Sequence, residues 1–348
     1  LGETDEQAPA LPTLESPPIE GVKVKLLVTG GAGYVGSVTT RLLLDAGHEV
    51  VVLDNLATGF SEAVQPDATF IQADIRDAAA VLTPGSGFDA VLHFAGLIAA
   101  GESMVKPELY WQDNLVGSLR LLDAVRAASV PRLIFSSTAA VYGNPSEIPI
   151  TENATKAPTN TYGATKLAFD YALTSEAFAH KLGAVSLRYF NVAGAYIRPD
   201  GTAIGERHDP ETHLIPIALQ VAAGKRDKLM LFGDDYPTPD GTNVRDYIHV
   251  EDLARAHLLA LDTATGGEHR IYNLGNGTGF TNREVVEAAR EVTGADLPIE
   301  MAPRRDGDPA TLVASSERAR ADLGWVPAKN TLADMIGDAW EFYRAHVA

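Results

Sequence analysis

Tyr162 and Lys166 stand four residues apart in the run Tyr162-Gly163-Ala164-Thr165-Lys166, so on a helix the phenol and the ammonium share one face. A tyrosine of ordinary pKa, about 10, needs roughly 4 kcal/mol of help to act as a base near neutrality. A lysine charge about 5 Å away supplies roughly 3 kcal/mol at an effective dielectric of 20. Thr138 closes the run Phe135-Ser136-Ser137-Thr138, from which its hydroxyl can reach the same substrate oxygen. Together these three describe proton abstraction from an alcohol. Thr138 orients the oxygen, Tyr162 takes the proton, and Lys166 lowers the phenol's pKa while holding a cofactor ribose.

A second stretch supplies that cofactor. Thr29 to Ser37 reads TGGAGYVGS, between the apolar run Leu26-Leu27-Val28 and a segment of helical periodicity. Gly30 suits a turn at positive φ, Gly33 a close approach to pyrophosphate, and Gly36 tight packing of helix on strand. The pyrophosphate would sit on the free N–H groups at the helix start. Asp54, at the end of the next apolar run and roughly 20 residues on, suits a ribose diol. With Asn55 it accepts both hydroxyls and repels a 2′-phosphate, which favours NAD over NADP. An oxidised nicotinamide would add the remaining positive charge that Tyr162 needs. Asp74 and Ile75 are placed to meet adenine, and Phe94, Ala95 and Gly96 allow a cofactor to approach the backbone. His93 reads as a core histidine.

The elements that must position these groups alternate short apolar strands, at 25–28, 50–54, 69–72, 90–94, 133–135 and 184–187, with amphipathic helices. The fold class is α/β: a doubly wound parallel Rossmann sheet over 23–190. A smaller mixed α/β substrate domain follows over 191–348, with some segments returning to the sheet. The catalytic helix is predicted from 162 to about 182, and further helices at 213–223, 250–263, 282–293 and 332–346. Right-handed crossovers place the ligand crevice at the carboxyl ends of the strands. Residues 1–22 read as a disordered extension.

The 348 residues carry a formal charge of −18, which argues against nucleic-acid or anionic-lipid binding through the general surface. No window approaches the ~18 uninterrupted apolar residues of a membrane span, and a cytoplasmic location is expected. Without cysteine there is no disulfide, thiolate or cysteine–zinc chemistry. The nine histidines include no His-Glu-x-x-His or similar cluster, so no metal is assigned. An anionic substrate entering so acidic a protein needs its own cations. Arg245 and Arg305, read as loop residues, can bridge phosphate oxygens. Leu229 to Phe232 are placed to wall a base, although a plain edge strand has the same pattern.

From Lys25 to the C-terminus the chain resembles the extended short-chain dehydrogenase/reductase family, in particular its nucleotide-sugar 4-epimerases. The matching stretches are TGGAGYVGS, HFAGLIAAGES from His93, FSSTAAVYG from Phe135, YGATK from Tyr162, LRYFNVAGA from Leu187 and DGTNVRDYIHVEDLA from Asp240. The resemblance implies tightly retained NAD, a UDP-hexose substrate whose gluco and galacto forms are interconverted at C4, and a homodimer. It assigns cofactor contacts to Tyr34, Val35, Asp54, Asn55, Asp74, Ile75, Phe94, Ala95, Gly96, Leu97 and Phe190, and substrate contacts to Asn191, Leu214, Phe232, Arg245, Arg305 and Asp308.

Departures from the family's pattern are informative. Asp113 stands at a cofactor position often Asn, Ile98 replaces a lysine near the nicotinamide ribose, and His213 replaces an amide but still donates to a phosphate. Leu312, at the sugar-pocket gate, is smaller than the tyrosine that excludes N-acetyl sugars and larger than the residues that admit them, which leaves specificity open. Dehydratases of this scaffold carry an acidic pair after the threonine, where this chain has Ala139 and Ala140, so simple oxidation and return is favoured. An epimerase of another UDP-sugar is the main alternative, and a silent NAD-binding regulator the remote one.

Overall fold

The computed structural model describes residues 23–305 and 308–346; the extension read at 1–22 lies outside them. The central element is a seven-stranded sheet. In chain order its strands are β1 (Lys25–Thr29), β2 (Glu49–Asp54), β3 (Thr69–Gln72), β4 (Ala90–His93), β5 (Arg132–Thr138), β6 (Gly183–Tyr189) and β7 (His269–Leu274). All pair in parallel, in the spatial order β7-β6-β5-β4-β1-β2-β3. The order reverses between β1 and β4, which opens the crevice at their carboxyl ends.

Side chains of β1 alternate between two cores, as a strand buried on both faces requires. Leu26 and Val28 join Val50 and Val52 against Leu253, Ala256 and Leu261. Leu27 joins Val51, Leu53 and Phe135 against Leu121, Val125, Phe169 and Leu173. Leu26, Leu27 and Val28 are fully buried, each contributing about 1.5–3 kcal/mol of hydrophobic stabilisation.

Four helices matter for the site: α1 (Tyr34–Asp45), α2 (Thr161–His180), α3 (Leu214–Ala222) and α4 (Val250–Thr263). The last lies beyond residue 191 yet covers the large sheet, because Leu253, Ala256, Ala260 and Leu261 form an apolar face that packs beside α1 and shares a core with Ile134 of β5. The smaller layer has its own core, in which α3 packs with the helices Asn282–Thr293 and Leu332–His346. No helix among the described residues is long and apolar enough to cross a membrane.

Candidate active site

The glycine-rich turn leaves β1 directly into α1. Gly30 has φ +76°, and a Cβ there would lie 2.5 Å from the Ala95 nitrogen. A Cβ on Gly36 would overlap the Gly30 carbonyl oxygen. Gly33 is the N-cap of α1 and offers no side-chain bond, which leaves the first-turn N–H groups to a ligand. At the end of β2, the buried Asp54 accepts Ala32 N–H at 3.0 Å on one oxygen and Leu56 N–H at 2.8 Å on the other. Each carboxylate oxygen keeps a lone pair for a diol hydroxyl. These features fit a dinucleotide.

Asn55 donates to Asp74 at 3.1 Å. Asp74 in turn holds Arg76 through two bonds of 2.7 Å, and the guanidinium keeps its carboxyl down at about 2. Arg76, which sequence reasoning missed, lines the cavity beside Asp113, 3.7 Å away. Two acids thus neutralise the cation best placed to attract a 2′-phosphate, in keeping with NAD.

Thr138 ends β5 and accepts the Ala140 N–H at 3.1 Å. The catalytic pair stands on α2, whose N-cap Asn160 accepts the Gly163 N–H at 2.8 Å. Thr138 and Tyr162 both face the cavity. Lys166 lies beneath it, donating to the Ser136 carbonyl at 2.8 Å with its Nζ 4.8 Å from the Phe135 ring centroid. Burial brings the Lys166 pKa down to about 8, opposed by Asp170. The phenol departs from the sequence expectation: burial raises its pKa, and the opposing group is the Thr138 hydroxyl rather than Lys166. The ammonium is turned to the Ser136 carbonyl, so in the protein alone its charge does not offset the dry surroundings of the ring.

Cofactor-side predictions converge on one cavity of about 650 Å3, the size of a small-molecule site. Gly30, Gly33, Tyr34, Val35, Gly36 and Asn55 line it together with Asp54, Asp74, Ile75 and Asp113. So do Phe94, Ala95, Gly96, Leu97, Phe190, Asn191, His213 and Leu214. Asn114 was missed by sequence reasoning. It accepts the Leu97 N–H at 2.7 Å and donates to the Leu97 carbonyl at 2.9 Å, fixing the loop after β4. It sits in the π-helical turn Trp111–Val116, a local widening common at functional sites. His93 is a core residue, bonded to Thr29 at 2.8 Å and Ser118 at 2.7 Å.

The remaining substrate predictions form a separate group outside that lining. Arg245 lies in the short strand Val244–Arg245 rather than in a loop, and donates to Asp308 at 2.5 Å. Arg305 stacks on Phe232, 3.8 Å from its centroid. Leu312 pairs in register with Arg245 and packs among Phe190 and its neighbours. Leu229 is a correction: strand alternation turns it inward, and its fully buried side chain offers a ligand nothing.

Sequence spacing also hid a cluster on the cavity wall, where Glu206, His208, Glu211 and His213 bring their polar atoms within 4.8 Å of one another. Against the opposing effect of burial, the two carboxylates hold the imidazole pKa values up, at about 9 for His208 and about 10 for His213.

A parallel sheet with a glycine turn, an acid at the next strand end, and a hydroxyl–tyrosine–lysine set on the same crevice defines a nicotinamide-dependent enzyme of the short-chain type. Residues 26–275 match the model of the NAD dependent epimerase/dehydratase family, and the chain belongs to that family. It is 56% identical over 322 residues to the UDP-glucose 4-epimerase of Corynebacterium glutamicum, covering 92% of this chain and 96% of that one. It is 57% identical over 325 residues to the UDP-glucose 4-epimerase of Streptomyces lividans, covering 92% and 97%. The structure of the Brucella ovis UDP-glucose 4-epimerase in complex with NAD is similar, with TM-score 0.86 and 45% identity over 92% of this chain and 98% of that one.

Proposed function

We infer that this protein is an isomerase that interconverts UDP-glucose and UDP-galactose by inverting C4 of the hexose. The observation that carries the reading is that Thr138 and Tyr162 open onto the same cavity as the Asp54 cradle and the substrate-side residues Asn191, His213 and Leu214. When bound, NAD supplies a reversible acceptor for the hydrogen and electron pair on C4, and a positive charge beside the phenol. The chain's own groups do the rest.

The Thr138 hydroxyl orients the sugar's 4-hydroxyl, and the Tyr162 phenolate accepts the 4-hydroxyl proton as the carbonyl forms. Lys166, buried beneath Gly96, holds the cofactor ribose. Tyr162 returns the proton once the sugar has presented its other face. That turn requires the hexose contacts to be few and exchangeable while the UDP end stays clamped. Arg245 and Arg305 are the cations for the diphosphate, and Phe232 lies beneath the second of them. Ala139 and Ala140 place no acid beside the threonine to expel water from a neighbouring carbon.

We place the enzyme in the cytoplasm, as a homodimer. Trp111, Val116 and Leu119 leave apolar surface exposed on the segment before β5, as do Tyr171 and Phe178 on the neighbouring catalytic helix, which supports a shared helical interface. Light scattering of the purified protein tests this, and a monomeric mass refutes it. The function is tested by incubating the protein with UDP-galactose, adding no NAD, and following UDP-glucose by chromatography. Product without net NADH supports the reading. If none forms, and added NAD does not restore it, the hexose assignment fails.

A further inference from the structure

We propose that Glu206, His208, Glu211 and His213 form a structural site for one divalent d-block cation, zinc by preference, that staples the 206–213 loop into the cavity wall. The inference is independent of which sugar is turned over.

The four donors lie within 4.8 Å of one another, and the histidine–carboxylate separations approach those of a tetrahedral shell. Four donor atoms at Zn–N and Zn–O distances of about 2.0–2.1 Å stand about 3.3–3.4 Å from one another. His213 Nδ1 lies 3.0 Å from an oxygen of Glu206 and 3.0 Å from one of Glu211. His208 Nδ1 lies 3.2 Å from Glu206 and 3.5 Å from the other Glu211 oxygen. Two imidazoles and two carboxylates are ligands that zinc accepts, with the spacing Glu-x-His-x-x-Glu-x-His on one short loop.

Three further observations point to a cation. His208 Nδ1 is buried with no aligned hydrogen-bond partner, although two carboxylates lie within 3.5 Å. The side chains of Glu206 and Glu211 are only 8% and 4% exposed, and among the described residues no lysine or arginine pairs with either. The nearest cation in sequence, Arg207, is turned away onto the Phe60 ring and toward Glu62. Finally, Glu211 is pre-oriented by the N–H groups of Thr212 at 2.7 Å and His213 at 2.8 Å, the outer-shell support that metal-binding carboxylates have.

Four protein ligands close the shell and leave no position for an activated water, so the role is positional. His213 is the N-cap of α3 and Leu214 its first residue, so the metal would set where that helix enters the substrate side of the cavity. Arg207, in the same loop, meets the cofactor side at Phe60 and Glu62.

The test uses the NAD-retaining full chain, purified without immobilised metal, loaded with Zn2+ and dialysed. Elemental analysis should find about one zinc per chain, and Co2+ in its place should give the intense visible bands of a tetrahedral complex. His208→Ala should weaken Zn2+ binding at least 100-fold, beyond the roughly 10–100-fold cost of losing an outer-shell partner. Glu211→Gln should do the same, with bound NAD retained as the check that each variant is folded. Wild-type protein that holds well under one zinc, an octahedral cobalt spectrum, or folded variants that bind zinc undiminished would each overturn the site. If neither variant folds, the wild-type stoichiometry and cobalt spectrum decide alone.

Discussion

Replacing Thr138 by valine keeps the shape of the side chain and removes only the hydroxyl, so it isolates what that oxygen does. A backbone bond and an influence on the catalytic phenol go with it. The Ala140 N–H loses its acceptor, a cap on the turn Ala139–Tyr142 worth about 1 kcal/mol of stability. The Tyr162 phenol loses the one neighbour that opposes the rise of its pKa on burial. A hydrogen bond to a charged group is worth about 1.5–3 kcal/mol, so losing it moves the phenol's pKa further up and thins the phenolate roughly 10–100-fold. The phenolate is the reactive form, so a higher pKa leaves less of it at any given pH. Turnover at neutral pH should therefore fall about 10–100-fold and recover as the pH rises, with KM little changed. The measurement is kcat for UDP-galactose from pH 6 to 9.5, in Thr138→Val and in Thr138→Ser, which keeps the oxygen and should follow wild type. A valine variant whose profile overlays wild type would refute the reasoning. An equal loss at every pH would show that the hydroxyl positions the sugar without tuning the base.

Further perturbations address other parts of the site. Tyr162→Phe should remove at least 99% of turnover, on the order of 3 kcal/mol, while NAD remains bound; a turnover number near wild type would exclude the phenol as the proton carrier. Gly36→Ala places a methyl on the Gly30 carbonyl, so the cradle must open and NAD content after gel filtration should drop at least tenfold, and stoichiometric NAD would contradict the packing argument. His269 is held neutral in the fold, its pKa brought down to about 4 by burial. The unfolded chain gains that proton below about pH 6.5 and the folded chain does not, so stability is lost as pH falls from 6.5 toward 4, by up to about 1.4 kcal/mol per pH unit. His269→Gln, which keeps polar partners for Thr174 and Ser186, should flatten the slope by that amount in urea titrations at pH 7, 6 and 5. Parallel slopes would show that His269 does not carry the linkage.

Six strands of the large sheet are readable in the sequence, five of them because a strand buried on both faces is a near-continuous apolar run, as in Leu26-Leu27-Val28, and the exposed edge strand Thr69–Gln72 from its short β-prone run. The seventh reads His269-Arg270-Ile271-Tyr272-Asn273-Leu274, where the polar residues of an edge strand break the run. The position of Leu229 in a strand is legible and its face is not, since period-two alternation fixes two sides without naming the core. Tyr162 and Lys166 are legible as neighbours on a helix, but the Ser136 carbonyl that turns the ammonium aside belongs to a strand 30 residues away. Asn114 escapes because its partner, the Leu97 peptide, lies 17 residues away, beyond the reach of any local pattern. The Glu206–His213 cluster escapes because its ligands lie on a loop, where no helical or strand period announces a shared direction.

The sheet order has a consequence for how the chain is made. β6 is buried along its whole length, yet its outer partner, β7, is synthesised about 80 residues later, after the first part of the smaller layer. When residue 189 leaves the ribosome the nucleotide half has a complete cradle and catalytic set but presents β6 as an apolar, unpaired edge, the kind of template on which chains pair wrongly. The strand that seals it belongs to the segment that carries the substrate layer. A nascent or truncated chain lacking that layer is therefore sticky as well as inactive, and protection from aggregation arrives with the same residues that complete the enzyme.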